Sequence, residues 1–330
     1  MKKHNVIFGC GTALVVGAGS LVLMMATVSA QNSSSSYKVP RTPWGEPDFQ
    51  GIWTANEMHG VPLERPADLV GQSALSAKEA TDRREKTTTG TVTAEGIGNY
   101  DRAFRDTALG YTKQSVSTQT SLIVDPPDGK SPARTPEAQK MLAAEREQGR
   151  RRPTSWVDFG TWGRCITRGP ETIVEPSGYN NGVQIVQGPG YVAVEKEMIH
   201  ETRVIPIGNK PHLGSKLTLV AGDARGHWEG DTLVVDITNF SGMARLGGAG
   251  KNMHLIERFT RTGPNQLDYR YTVEDPTVYA KPWTARMTMS KDDSQYELVE
   301  YACHEANYAM PNSLTGAQAD EAAEAAKGKK

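Results

Sequence analysis

Pro47-Asp48-Phe49-Gln50-Gly51-Ile52-Trp53-Thr54 is the stretch on which the fold turns. It sits within residues 44–60 and sets a Gly-x-Trp on the first strand of a chain whose second half is rich in strands. From Trp156 to Tyr308 the apolar period is two. Val183-Gln184-Ile185-Val186 and Tyr191-Val192-Ala193-Val194 flank Gly188-Pro189-Gly190, which predicts a hairpin. A strand is expected over Met198–Ile207, followed by a turn at Gly208-Asn209. Trp228-Glu229-Gly230-Asp231 reads as a turn leading into Thr232–Ile237, and further strands are expected at His254–Arg261, Leu267–Glu274, Trp283–Met289 and Gln295–Cys303. Short strands with turns at regular spacing predict a mainly β fold, an antiparallel barrel or sandwich.

Between the first strand and this half lies a segment of another character. Residues 61–155 are polar and poor in aromatic residues, and they read as a partly helical insertion in the same domain. Ser76 and Glu79 form a capping box for a helix to about Lys86. Thr135-Pro136-Glu137 starts a second helix, with proline at the first helical position, ending near Gly149. Ser121-Leu122-Ile123-Val124 reads as a short strand, stopped by Asp125-Pro126-Pro127-Asp128-Gly129. Residues 156–310 form the β-rich half that carries the pocket, and residues 311–330 an Ala/Glu-rich tail.

The amino-terminal residues 1–30 read as a secretory signal peptide: Lys2 and Lys3, an apolar run from Val6 to Met25, and small residues at Val28-Ser29-Ala30. A Ser-rich, flexible lead-in follows over residues 31–43. These features place the mature chain in the periplasm or outside the cell, with no membrane span after cleavage. The chain has 37 Lys and Arg against 38 Asp and Glu, a net charge of -1, and no basic face, which argues against a nucleic-acid partner. Of the three cysteines, Cys165 and Cys303 remain after cleavage. In an oxidising compartment their simplest arrangement is one disulfide, which closes a long loop and contributes ~4 kcal/mol.

Two resemblances attach to these motifs. The run Pro40-Arg41-Thr42-Pro43-Trp44-Gly45-Glu46-Pro47-Asp48-Phe49-Gln50-Gly51-Ile52-Trp53 resembles the start of a large group of exported β-rich proteins of environmental bacteria. Trp228-Glu229-Gly230-Asp231-Thr232-Leu233-Val234-Val235-Asp236, Val273-Glu274-Asp275-Pro276 and Tyr301-Ala302-Cys303-His304-Glu305 resemble the same group, so that the likeness spans most of residues 40–310. It implies export and brings no activity with it. Gly51-x-Trp53 and the strand rhythm are similar to the lipocalin and calycin barrels. That resemblance implies a lipocalin-like cup for a small apolar ligand, in which the glycine permits close approach and the tryptophan plugs one end.

Three histidines lie on or beside expected strands: His200, His254 and His304. If those strands are neighbours, the imidazoles meet on one inward face, as a metal site of three ligands plus water or as acid–base groups. Glu257 and Arg203 would then orient a ligand oxygen or stabilise charge. The plainer reading of Glu257-Arg258 and Glu201-x-Arg203 is surface ion pairing, which contributes little. No His-x-His or His-Glu-x-x-His spacing is present. Tyr269, Tyr271, Trp283 and Tyr301 supply rings with polar tips, suited to an apolar pocket and equally to an ordinary barrel core. Nucleophile-elbow, phosphate-loop, Rossmann and paired Cys-x-x-Cys signatures are missing.

The resulting expectation is an exported small-molecule-binding barrel. If it is an enzyme, it performs a cofactor-independent lyase, hydratase or isomerase step on a small apolar compound. The alternatives are a metal-dependent enzyme using His200, His254 and His304, and a structural or interaction protein of the cell envelope.

Overall fold

A computed structural model describes residues 37–90, 115–173, 175–176, 180–291, 298–305 and 307–327, without the side chains of 87–90. The leader expected over residues 1–30 lies outside the described residues. The strands are β1 (Gly51–Thr54), β2 (Ile123–Asp125), β3 (Gly182–Gly188), β4 (Tyr191–Lys196), β5 (Thr202–Pro206), β6 (Asp223–Glu229), β7 (Thr232–Thr238), β8 (His254–Gly263), β9 (Gln266–Glu274) and β10 (Trp283–Lys291). The helices are α1 (Ala77–Gly90), α2 (Pro136–Gly149) and α3 (Ala309–Lys327).

Nine strands run antiparallel in the order β5-β4-β3-β1-β10-β9-β8-β7-β6, with β2 added beside β10. The two ends of this order approach each other. Ile207 bridges Gly226 in parallel, and the Gly208 N–H donates to the Gly226 carbonyl at 2.8 Å. A Cβ on Gly226 would lie 2.6 Å from Ile207 Cδ1 and 2.8 Å from Ile205 Cγ2, so this seam requires glycine. The fold is a nearly closed antiparallel β-barrel with a few helices, the first of the two forms, barrel or sandwich, that the strand rhythm predicts. Alternation turns one face of each strand inward. Val192 and Val194, Leu233 and Val235, and Met287 and Met289 are all buried in one continuous core.

Trp53 is fully buried, and its indole N–H donates to the Phe49 carbonyl at 2.8 Å. Gly51 has φ 126°, a conformation that other residues adopt only with strain, and this explains the glycine two positions before the tryptophan. Arg261 caps the ring, its guanidinium carbon 5.6 Å from the ring centroid and its Nη1 donating to the Asp48 carbonyl at 2.7 Å. Arg261→Ala is expected to lower stability by about 1–2 kcal/mol, read as a lower midpoint in thermal unfolding.

Several expected boundaries change. The strand expected over Met198–Ile207 begins only at Thr202. Met198–His200 form a tight 3-10 turn with positive φ at Ile199 (69°) and His200 (60°), because the chain must reverse between the antiparallel β4 and β5. Trp228 and Glu229 belong to β6, and the turn is Gly230-Asp231 alone. Residues 298–303 of the strand expected over Gln295–Cys303 are not extended partners of any strand. The edge of β10 that they would join is already filled, by β1 at one end and β2 at the other. Residues 37–43 of the expected flexible lead-in are docked: Val39 and Thr42 are buried, and the Asp48 N–H donates to the Pro40 carbonyl at 2.8 Å. Both helix caps form as read, with the Ser76 N–H donating to Glu79 at 2.9 Å and the Ala138 N–H to Thr135 Oγ1 at 3.1 Å.

Candidate functional site in the barrel interior

Strand alternation on β9 sends Tyr269 and Tyr271 inward, and the same rule sends Glu257 inward from β8 and Trp283 from β10. All four are fully buried. Tyr269 and Tyr271 have ring centroids 5.8 Å apart, Tyr271 and Trp283 also 5.8 Å, and Trp283 and Tyr279 5.9 Å, which makes a continuous aromatic wall. The Tyr269 hydroxyl donates to Glu257 Oε1 at 2.8 Å. By contrast, the Tyr271 hydroxyl and the Trp283 indole N–H have no hydrogen-bond partner among the described residues.

The buried segment from Thr167 to Ile173 runs against this wall, the Ile173 N–H lying 3.4 Å from the Tyr269 hydroxyl. Its far end is held by Glu257, which accepts from the Thr172 N–H at 2.6 Å and from the Thr172 hydroxyl. Its near end is held from β4 and β5. Lys196 Nζ pairs with Glu201 at 2.7 Å and lies 3.3 Å from the Glu171 carbonyl, while Arg203 Nη2 donates to the Pro170 carbonyl. The Thr167 hydroxyl donates to Glu201 at 2.6 Å. Arg203 Nε and Nη1 have no partner among the described residues, although the residue is only 7% exposed.

Glu171 lies at the middle of the segment. Burial pushes its carboxyl up to about 7, with its own backbone N–H and the Lys196 charge pulling the other way and the charges of Glu175 and Glu257 adding to the rise. Its Oε2 has no hydrogen-bond partner among the described residues. A Cβ on Gly169 would sit 2.6 Å from Oε2 and 2.7 Å from Oε1, so glycine there leaves the carboxyl its place. The raised value has a sign for stability. The folded state favours the neutral acid, so Glu171 costs nothing below its usual 4.5 and destabilises as pH rises through about 7. Between pH 4.5 and 8 the loss amounts to about 3 kcal/mol at ~1.4 kcal/mol per unit. Urea unfolding across this range should show Glu171→Gln falling less steeply than the wild type by that amount.

The three histidines do not meet. His254 faces outward from β8 as one link in a surface chain. Its Nε2 is 2.7 Å from Asp236 and its Nδ1 3.0 Å from Glu274, and Asp236 also holds His212 at 2.7 Å. Burial lowers the His254 imidazole, but the two carboxylates more than offset this and hold it above the ordinary histidine value. His200 stands on the β4–β5 turn with Nε2 3.0 Å from Glu195. His304 is exposed beside a surface cleft with Trp156 and Arg164. Among the described residues no group of three or more His, Cys, Asp or Glu is placed to hold a metal.

Tyr301 is likewise outside the barrel wall, lining a surface cleft of about 480 Å³ with Phe159, Trp162 and Cys303. Cys165 and Cys303 form a disulfide with Cα atoms 5.8 Å apart. Of the residues named from the sequence, Tyr269, Tyr271, Trp283, Glu257 and Arg203 are buried, Glu257 and Arg203 against the plainer reading of surface ion pairs, and Glu171, Thr172 and Lys196 are buried beside them without having been named. Arg168-Gly169-Pro170-Glu171 has neither the period of two nor a ligand motif, so nothing in its pattern announces that it is buried.

A nearly closed β-barrel with polar groups in an aromatic interior is a fold compatible with small-molecule binding. No protein-family model and no curated protein matches the chain. Among solved structures it is similar to a secretory abundant heat soluble (SAHS) protein from Ramazzottius varieornatus, with 9% identity and a TM-score of 0.23, over 34% of this chain and 70% of that one.

Proposed function

We propose that this chain is an exported β-barrel that encloses a small, largely apolar molecule between its aromatic wall and the segment Thr167–Ile173. One observation carries the reading: the Tyr271 hydroxyl and the Trp283 indole N–H are buried without a protein partner among the described residues. Leaving such donors unpaired costs about 1–3 kcal/mol each, and a guest with an acceptor atom offsets that cost. The rings beside them supply the apolar contact. His200, His254 and His304 take no part in this site, whereas Glu257 and Arg203 fix the segment that bounds it. Export is supported by the leader in residues 1–30 and by the Cys165–Cys303 disulfide. No helix of the described residues is long and apolar enough to cross a membrane.

Fluorescence titration of the mature protein with N-phenyl-1-naphthylamine tests the reading. Saturable enhancement at one site is expected, weakened about tenfold or more in Ala285→Leu, which adds bulk to the inward face of β10 beside Tyr271. Enhancement that never saturates, or that is the same in both proteins, defeats it.

A further inference from the structure

We infer that His212 and His254 form a proton-controlled latch that holds the connection between β5 and β6 against the barrel, shut while both imidazoles are charged and released when they lose their protons. The inference goes beyond the ligand-binding reading and stands without it.

β5 and β6 are the two end strands of the sheet. The chain between them, residues 207–222, leaves directly from the seam where Ile207 and Gly208 meet Gly226. A line of side chains ties it to the outside of four neighbouring strands. Glu274 of β9 lies 3.0 Å from His254 Nδ1 of β8, and His254 Nε2 lies 2.7 Å from Asp236 of β7. The other oxygen of Asp236 lies 2.7 Å from His212 Nε2, and His212 Nδ1 lies 3.0 Å from Asp223 at the start of β6.

Each imidazole therefore has both nitrogens on carboxylate oxygens. An ionised carboxylate only accepts, so each ring needs two N–H donors, and the imidazolium alone has two. The charges balance in that state. Asp223, Asp236 and Glu274 are negative, and the two imidazoliums and Arg225, whose Nη1 donates to Asp223 at 2.6 Å, are positive. Lys210, two residues before His212, is engaged instead with Tyr191, its Nζ 3.3 Å from the hydroxyl. Burial opposes the charges of Asp236 and His254, and their pairing outweighs it, holding Asp236 below the ordinary carboxylate value and His254 above the ordinary histidine value. With both rings neutral, two N–H groups face four carboxylate contacts, and Arg225 alone is left to balance three carboxylates.

The connection has little else to hold it in place. From residue 208 to residue 219 every residue except His212 is exposed, so no apolar burial anchors it. The Leu213 N–H donates to Asp223 at 2.8 Å and Arg225 Nε to the Pro211 carbonyl at 2.9 Å, both through the carboxylate–guanidinium pair that the latch includes. Asn239 Nδ2 adds one neutral bond to the Leu213 carbonyl at 2.9 Å. Further along, Leu219 stays docked by backbone bonds to Asn239 and Ser241 at 2.9 and 2.8 Å. Opening is thus confined to residues 208–218, beside the seam. Its sign follows from the raised His254: the latch is whole below the ordinary histidine value and is lost as pH rises through the higher folded one.

Hydrogen–deuterium exchange of the mature protein, each rate divided by the intrinsic amide rate at the same pH, tests the latch. Protection at Gly208 and Leu213 is expected to fall about tenfold or more from about pH 6 to about pH 9, while that at Val192 and Val194 of β4 holds constant. His212→Asn, with the circular dichroism of wild type, should show low protection at Leu213 at both ends of the range. Nitrogen-15 spectra of the wild-type imidazoles give a second reading, with two N–H groups on His212 at about pH 6 and one at about pH 9. Protection in wild type that does not change with pH, a pH response retained in His212→Asn, or a His212 ring with one N–H at the acid end would each overturn the proposal.

Discussion

Glu257→Ala is expected to lower the stability of the mature protein by about 3–5 kcal/mol, read from the shift in urea midpoint with the disulfide intact. Glu257 is fully buried on β8 and is the common acceptor for three donors, two from Thr172 and one from Tyr269. Its removal leaves these donors in an apolar interior at about 1–3 kcal/mol for each that finds no substitute, and opens a cavity as well. Glu257→Gln keeps the shape but turns an amide donor toward groups that already donate, so an intermediate loss is expected. The segment Thr167–Ile173 should also loosen, since Thr172 is its anchor on the far wall. Loss of amide-exchange protection at Thr172 would register this. A Glu257→Ala protein within 1 kcal/mol of wild type would mean that this network does not hold the segment in the barrel.

The paired substitution of Cys165 and Cys303 by serine is expected to cost about 4 kcal/mol. The bond joins positions 138 residues apart, and closing so long a loop removes much of the freedom of the unfolded chain. Its folded-state effect is local. Cys165 lies two residues before Thr167, and Cys303 six residues before α3 begins, so the bond fixes the approach to the interior segment. Urea unfolding of the oxidised protein, the reduced protein and the double variant should give a high midpoint for the first and lower, matching midpoints for the other two. Equal midpoints for all three would place the contribution of this bond near zero.

Local pattern made much of the architecture legible. The alternation in Leu267–Glu274 and Trp283–Met289 is a property of each strand alone, so their inward faces follow from residue type, and Tyr269, Tyr271 and Trp283 were placed together by it. Where the chain reverses in a few residues, as at Met198–His200, the apolar run Met198-Ile199 resembles a strand until the partner strands are known. His254 shows the same limit from the other side. Its pattern is compatible with either face, and the register against Glu274 and Asp236 puts it on the outside.

The amino-acid sequence by itself determined the mainly β class, the two capped helices, the Gly51-x-Trp53 strand and the cysteines that pair, because each depends on neighbours in the chain or on a count. Only the tertiary structure decided that the sheet nearly closes, that the three histidines stay apart, and that Thr167–Ile173 runs against the aromatic wall, where Thr172 meets Glu257. Those facts depend on contacts between residues far apart in the chain, such as Thr172 with Glu257, 85 positions apart, and Lys196 with Glu171, 25 positions apart. A turn-like run such as Gly169-Pro170-Glu171 carries no sign of them, since its burial comes from walls that other strands build around it.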